Sequence, residues 1–248
     1  MLGVPLGVTR VNYIETDLKD ATDSAAVLNL SLWLKNDTGL ESNGSKWADS
    51  SGNGNDAEQT TEGNRAAVSG GGLDFERTEE DHYDLETKID IADNAGFCVA
   101  FVVTRESENA GCLFSDGTAE LLQFQSATTF RVKCVNTSGT STVTDAVFSA
   151  GTFATGTKFL FLVNRTAGAS NKFTFFKNGT ELTPDTDTSS NEAEGENPSG
   201  IEFKVLGSRA GSGNFFDGIV HEAAIWSRSL TSAEITDVNE YLKEIHGL

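Results

Sequence analysis

The sequence predicts an all-β fold, a sandwich or barrel, that ends in a single α-helix. Three observations predict it. Short β-patterned runs recur at roughly 8–12-residue spacing, separated by Gly, Asn, Asp and Ser. Two of these runs, FCVAFVV at 97–103 and FLFLV at 159–163, are apolar on both faces, as strands buried on both sides are. Only the C-terminal segment changes to a helical period.

Taken in order, residues 1–26 read as an arm or linker, with Pro5, scattered acids and no sustained period. The domain proper is expected over 27–248. Residues 27–34 alternate with period two, which would put Leu28, Leu30, Leu32 and Leu34 on one face. Further strands are expected at 121–125, 129–135, 142–148, 201–206 and 215–226. The segments 159–164 and 172–177 flank a polar Gly-containing turn and read as a hairpin, after which Asn178-Gly179 supplies a second tight turn. At the end, Thr231 and Glu234 fit a capping box, with Leu230 and Ile235 placed as its hydrophobic staple. Ile235, Val238, Leu242 and Ile245 mark one helical face and Gly247 closes the helix.

Composition narrows the function. The 37 Asp and Glu against 18 Lys and Arg give a formal charge of −19. A surface this acidic repels phosphate backbones and offers no basic patch to anionic lipid, so nucleic acid and membrane insertion are not expected. No apolar stretch approaches the ~20 residues of a membrane span, and the N-terminus does not read as a signal peptide. Three cysteines, Cys98, Cys112 and Cys134, lie in apolar runs without metal-ligand spacing. They read as reduced core thiols.

Several segments, in order over roughly 28–246, resemble the laminin-G-like branch of the concanavalin A-like lectin/glucanase superfamily. LSLWLKND with WADSSGNGNDAEQ is similar to its first strand and turn, and GGLDFERTEEDHYDLE to the strand, loop and strand that follow. TKFLFLVNRT and KFTFFKNGTEL are similar to its late hairpin, FFDGIVHEAAIWSRSLTSAEI to its closing strand, Arg-x-Leu-Thr link and helix. The resemblance implies a two-sheet antiparallel jelly-roll sandwich with ligands on rim loops. The family hosts sugar binders, calcium-dependent adhesion modules, hydrolases and spacers, so fold does not decide function.

Catalysis is not expected. Glycan hydrolysis needs two carboxylates ~5–9 Å apart, which the superfamily's glucanases carry in a Glu-x-Asp-x-x-Glu strand. The near misses here, Glu15/Asp17/Asp20 and Glu79/Asp81/Asp84, both end in Asp and fall in the arm and a polar loop. His246 fits the dipole at a helix C-terminus, and His221 reads as a hydrogen-bonded strand residue. No cofactor is required; calcium is the one to consider, at Asp49 and Asp56, or in a loop where Asp185, Asp187, Ser189 and Glu196 mimic EF-hand spacing but Ser190 replaces the needed Gly. For a sugar, Trp47 beside Asp49, Asn53 and Asn55 is the candidate platform. The alternative for Trp47 is a hydrophobic plug beneath the Gly-rich turn.

Two functions follow. The first is a non-catalytic structural or adhesive part of a virus particle, assembled in a host cytoplasm, because the chain resembles bacteriophage decoration, fibre or tail proteins. The second is a carbohydrate-binding module, calcium-dependent if the turn holds an ion, facing a cell-surface glycan. In the first, the arm docks on another virion protein or a second copy through Val4, Leu6, Val8, Val11, Tyr13 and Ile14. Deleting residues 1–24 is then expected to leave a folded sandwich, by circular dichroism, that no longer joins its assembly; loss of folding contradicts that expectation.

Overall fold

The structure, a computed structural model, describes residues 30–139, 141–168, 173–187, 199–209 and 213–248. The arm, with its six proposed anchors, and Leu28, Ser189 and Glu196 lie outside these. In chain order the strands are β1 (Leu30–Leu34), β2 (Lys46–Trp47), β3 (Ala57–Glu58), β4 (Ala67–Ser69), β5 (Gly72–Phe75) and β6 (Tyr83–Ile91). Next come β7 (Phe97–Arg105), β8 (Gly111–Ser115), β9 (Leu121–Phe124), β10 (Thr129–Val135), β11 (Ser141–Val147) and β12 (Lys158–Arg165). The last are β13 (Phe173–Lys177), β14 (Thr180–Leu182), β15 (Thr186–Asp187), β16 (Ile201–Leu206) and β17 (Gly218–Trp226), before helix α1 (Ser232–His246).

These strands form two antiparallel sheets. The first runs β14-β13-β12-β7-β17-β5-β4, with β1 also paired to β17. The second runs β15-β11-β10-β9-β8-β16-β6-β3-β2. The expected sandwich and helix are therefore observed. Between the sheets lies a core rich in phenylalanine, in which Phe130–Phe161 and Phe124–Phe153 meet edge to face at 4.8 and 5.0 Å between centroids. Such pairs add about 0.5–1.5 kcal/mol beyond area burial. All three cysteines are free and buried.

The two sheets differ on their outer faces. In β10, Phe130, Val132 and Cys134 point inward while Arg131 and Lys133 are half-exposed, the alternation of a sheet with one wet face. By contrast β7, β12 and β17 are almost wholly buried, because α1 covers their outer side. A second apolar cluster forms there from Trp33, Ala100, Leu160, Leu162 and Trp226 against Ile235, Val238 and Leu242.

Two expectations are corrected. A register shift between Leu30 and Leu32 breaks the alternation of β1. Leu32 and Leu34 join the inter-sheet core, whereas Leu30 joins the cluster under the helix, so the leucines do not share a face. In α1, Ile245 is 52 % exposed and His246 takes the inward position. At about 100° per residue, the eleventh position beyond Ile235 returns to the buried stripe and the tenth does not.

The helix is fixed at both ends. Thr231 accepts from the Glu234 N–H, and the Glu234 carboxylate accepts from the Thr231 N–H at 2.7 Å, a complete capping box. Arg228 grips Glu234 through two nitrogens at 2.8 and 3.0 Å and, with those amide bonds, holds its carboxyl down to about 2. At the other end His246 Nε2 donates to Glu222 Oε2 at 2.7 Å, both side chains being buried. Trp33 Nε1 donates to the other oxygen at 2.6 Å.

Leu242→Ala should cost about 2–4 kcal/mol in urea unfolding, the range of a buried leucine truncation. Thr231→Ala should cost about 1 kcal/mol. His246→Ala, which strands a buried carboxylate, should cost about 3–5 kcal/mol; an unchanged midpoint for His246→Ala would show that the pair holds nothing.

Candidate binding face

The loop from Trp47 to Asp56 turns its polar groups inward. Trp47 is fully buried, and its indole N–H is shared by the carbonyls of Lys35 and Thr38 at 3.1 Å each. It is the plug and presents no ring face to a sugar. Asp49 accepts from the Trp33 N–H at 2.9 Å and from the N–H groups of Ser51 and Asn55. Asn53 and Asn55 donate at 2.7 Å to the carbonyls of Leu30 and Ser31. Those carbonyls flank the bulge in β1. The loop thus clamps the free edge of β1, satisfying backbone groups that the bulge leaves unpaired. Asp56 accepts from the Asp49 N–H at 2.7 Å and pairs with Lys46, which holds its carboxyl below the usual range against burial that raises it. The Asp49 carboxylate is spent on the amides of Trp33, Ser51 and Asn55, and that of Asp56 on the Asp49 N–H and on Lys46, instead of facing a shared cation.

The other predicted acids are also accounted for. Asp81 is buried and accepts from the Glu76 N–H at 2.8 Å, while Glu79 and Asp84 are exposed. They do not converge on a cleft. Asp185 accepts from the Ser149 hydroxyl at 3.2 Å. His221 meets the Gly70 carbonyl at 3.0 Å and the Thr104 hydroxyl at 2.9 Å, as a packed strand histidine. Asp74, Glu76 and Glu106 bring carboxylate oxygens within 4.8 Å of one another. Burial first, then repulsion from neighbouring carboxylates, Asp217 among them in every case, raises the pKa of each.

Among the described residues α1 covers the outer side of β7, β12 and β17, while the outer face of the second sheet has no such cover. There Arg131 stands opposite Gln123 on β9 and Asp145 on β11, and Lys133 stands opposite Leu121 and Val143. Arg209 and Asn214 close one side of a groove of about 280 Å³ over these residues. Three amides run across it in relay: Asn214 Nδ2 donates to Gln123 Oε1 at 3.2 Å, and Gln123 Nε2 to Gln125. Among the described residues the relay leaves the Gln125 Nε2 and the Asn214 Oδ1 without a partner. Arg131 is bidentate to Asp145, both bonds 2.7 Å, and so is held in place. Among the described residues Lys133 has no ion-pair partner, and the Arg209 side chain makes one long bond, to the Thr118 carbonyl at 3.3 Å. Three basic side chains thus gather on one face of a chain with net charge −19.

None of these groove residues is singled out by sequence reading, which looks to loops and aromatic rings. The signal present was the alternation TFRVKCV at 129–135, which places two basic residues on one wet face of a strand.

Two packed antiparallel sheets with a C-terminal helix make a lectin-like β-sandwich. A laminin-G model of the concanavalin A-like lectin/glucanases superfamily matches residues 76–236, and the chain belongs to that superfamily. No curated protein sequence matches the chain. Among solved structures, it is similar to the binding domain of Paraclostridial mosquitocidal protein 1, with TM-score 0.57 and 17 % identity over 86 % of this chain and 52 % of that one. Trypanosoma rangeli sialidase bound to the inhibitor DANA gives 0.54 and 17 %, over 85 % of this chain and 32 % of that one. The botulinum neurotoxin serotype G binding domain gives 0.54 and 13 %, over 87 % and 51 %. The chain thus spans only a third to a half of these structures, and at such identities the likeness is one of fold.

A nearby groove yields a pH prediction. Glu120 is 6 % exposed; burial pushes its carboxyl up to about 7, although the N–H groups of Val135 and Glu202 donate to it. A raised carboxyl favours the protonated form in the folded state, so its contribution is full below the ordinary value of 4.5 and is lost as pH rises to about 7. The melting temperature of Glu120→Gln relative to the parent should therefore climb between these pH values. A difference that is flat with pH would refute the assignment.

Proposed function

We propose that the chain is a non-catalytic carbohydrate-binding module whose ligand lies on the outer face of the second sheet. The observation that carries this is the groove over Gln123, Gln125, Arg131 and Lys133 on the outer face of the second sheet, with amides in relay and with Lys133 and Arg209 in no ion pair among the described residues. Amide and guanidinium groups suit hydroxyls and carboxylates, so an acidic sugar fits better than a neutral one. Among the described residues no aromatic ring lines this groove, and recognition rests on hydrogen bonds and charge. Membership of a lectin-type superfamily and likeness to toxin binding domains support the reading.

The particle-component reading differs in what carries the module. Its support was the resemblance to phage proteins and the arm with Val4, Leu6, Val8, Val11, Tyr13 and Ile14. The similar structures named above are binding domains and a sialidase. The glycan reading is preferred on those grounds.

A glycan array probed with the full chain should light on carboxylate-bearing oligosaccharides. Lys133→Ala or Arg209→Ala should weaken that binding about tenfold or more, since bonds to charged groups are worth ~1.5–3 kcal/mol. Raised ionic strength should weaken it further. A blank array, or binding untouched by both variants, would reject the site.

A further inference from the structure

Asparagine followed by glycine is chemically labile, because the bare glycine leaves its nitrogen free to reach the asparagine side-chain carbon. The sequence has three such steps, Asn43-Gly44, Asn53-Gly54 and Asn178-Gly179. The first and third are shielded. The Gly44 N–H donates to the Glu41 carbonyl at 2.9 Å, and a Cβ on Gly44 would collide with the Ala66 carbonyl oxygen. Asn178 Oδ1 accepts from the Leu160 N–H at 2.8 Å, and the Asn178 N–H donates back to the Leu160 carbonyl at 3.0 Å.

Asn53-Gly54 is open on its reacting side and tied on the other. Both residues are exposed, and nothing lies within 4 Å of where a Gly54 Cβ would stand. Neither the Gly54 N–H nor Asn53 Oδ1 has a hydrogen-bond partner among the described residues. The nucleophile is therefore unspent, and water reaches the oxygen on which charge builds during attack. Asn53 Nδ2, by contrast, donates to the Leu30 carbonyl at 2.7 Å and to Ser51 Oγ at 3.0 Å, and the Ser51 hydroxyl donates in turn to Asp49. The Nδ2 position faces acceptors, so only a donor fits there.

We propose that Asn53 is a modification site, where spontaneous deamidation by water unlatches the edge of β1. The Gly54 nitrogen bonds to Asn53 Cγ, the Cγ–Nδ2 bond breaks, and Nδ2 leaves as ammonia with the proton that Gly54 gives up. Water then adds to one of the two carbonyls of the succinimide and opens it to aspartate or isoaspartate. The net change is amide and water to carboxylic acid and ammonia, with no oxidation and no cofactor. Either product replaces the donor with a carboxylate, beside the Leu30 carbonyl and within the loop that already holds Asp49 and Asp56. The bulged edge of β1 loses one of its clamps, and no back reaction restores it. Neither Asn53 nor Gly54 lines the groove on the second sheet, so the modification and the glycan reading stand or fall apart.

The test is peptide mass spectrometry of the full chain aged at mildly alkaline pH, where the amide proton is lost more readily, beside a synthetic peptide of residues 48–57. The Asn53 segment should gain one mass unit several-fold faster than the segments holding Asn43 or Asn178. The aged chain should melt at a lower temperature than fresh chain. Asn53→Asp should reproduce that drop, and Asn53→Gln, whose longer side chain closes a ring far more slowly, should resist ageing. Should Asn53→Asp not fold, the aged parent supplies the melting curve. The proposal is overturned if Asn53 stays intact after the free peptide has converted, or if Asn43 or Asn178 changes first. It is equally overturned if Asn53→Asp, or the aged chain, melts with the fresh parent, since β1 would then not depend on the clamp.

Discussion

Glu222 sits in the middle of β17 with both carboxylate oxygens engaged, one by the indole N–H of Trp33 on β1, the other by His246 in the last turn of α1. Three elements distant in sequence meet at this side chain. A buried carboxylate is tolerated only when fully hydrogen-bonded, so Glu222 demands that β1 and the helix be in place together. With α1 locked down, the outer face of the first sheet is covered by Leu230, Ile235, Val238 and Leu242. The second sheet keeps its outer face in water. Where a ligand can lie follows from that asymmetry.

Polar groups elsewhere serve the same end of closing the sandwich. Arg105 and Arg165 are buried at the C-terminal ends of the antiparallel strands β7 and β12, hence at opposite ends of the pair. Neither is paired with a carboxylate among the described residues. Arg105 donates to the carbonyls of Phe153 and Ser126 and lies over Phe124 at 4.8 Å; Arg165 donates to those of Ser199 and Ala95 and lies over Phe97 at 4.8 Å. Burial lowers Arg105 to about 10, still charged at neutral pH. Each guanidinium, with its five donors, satisfies loop carbonyls that have no strand partner. The 47–56 loop does likewise for the bulged edge of β1. Residues that look like ligands in the sequence are, in this fold, often the means of tying loops to sheets.

That explains what was legible. Strands β10 and β16 fall where their apolar periods put them, and α1 begins and ends at the Thr231 box and Gly247, because these signals are local. The bulge in β1 was not legible: Leu28 to Leu34 alternate without flaw, and only the pairing with β17 and the pull of Asn53 and Asn55 displace Ser31. His246 lies on the buried helical stripe, but a polar residue there has meaning only once Glu222 is in view. The open groove was hidden for a related reason. Gln123, Lys133 and Arg209 are far apart in the chain, and which sheet stays uncovered is decided by the helix, not by the strands.

The most direct test is a crystal structure of the full chain with the acidic oligosaccharide that it binds most strongly. The sugar should lie across β9 and β10, its carboxylate near Lys133 and Arg209 and its hydroxyls on Gln125 and Asn214, with the 47–56 loop unchanged. A sugar seated on that loop instead, with Asp49 and Asn53 released from β1, would contradict the account.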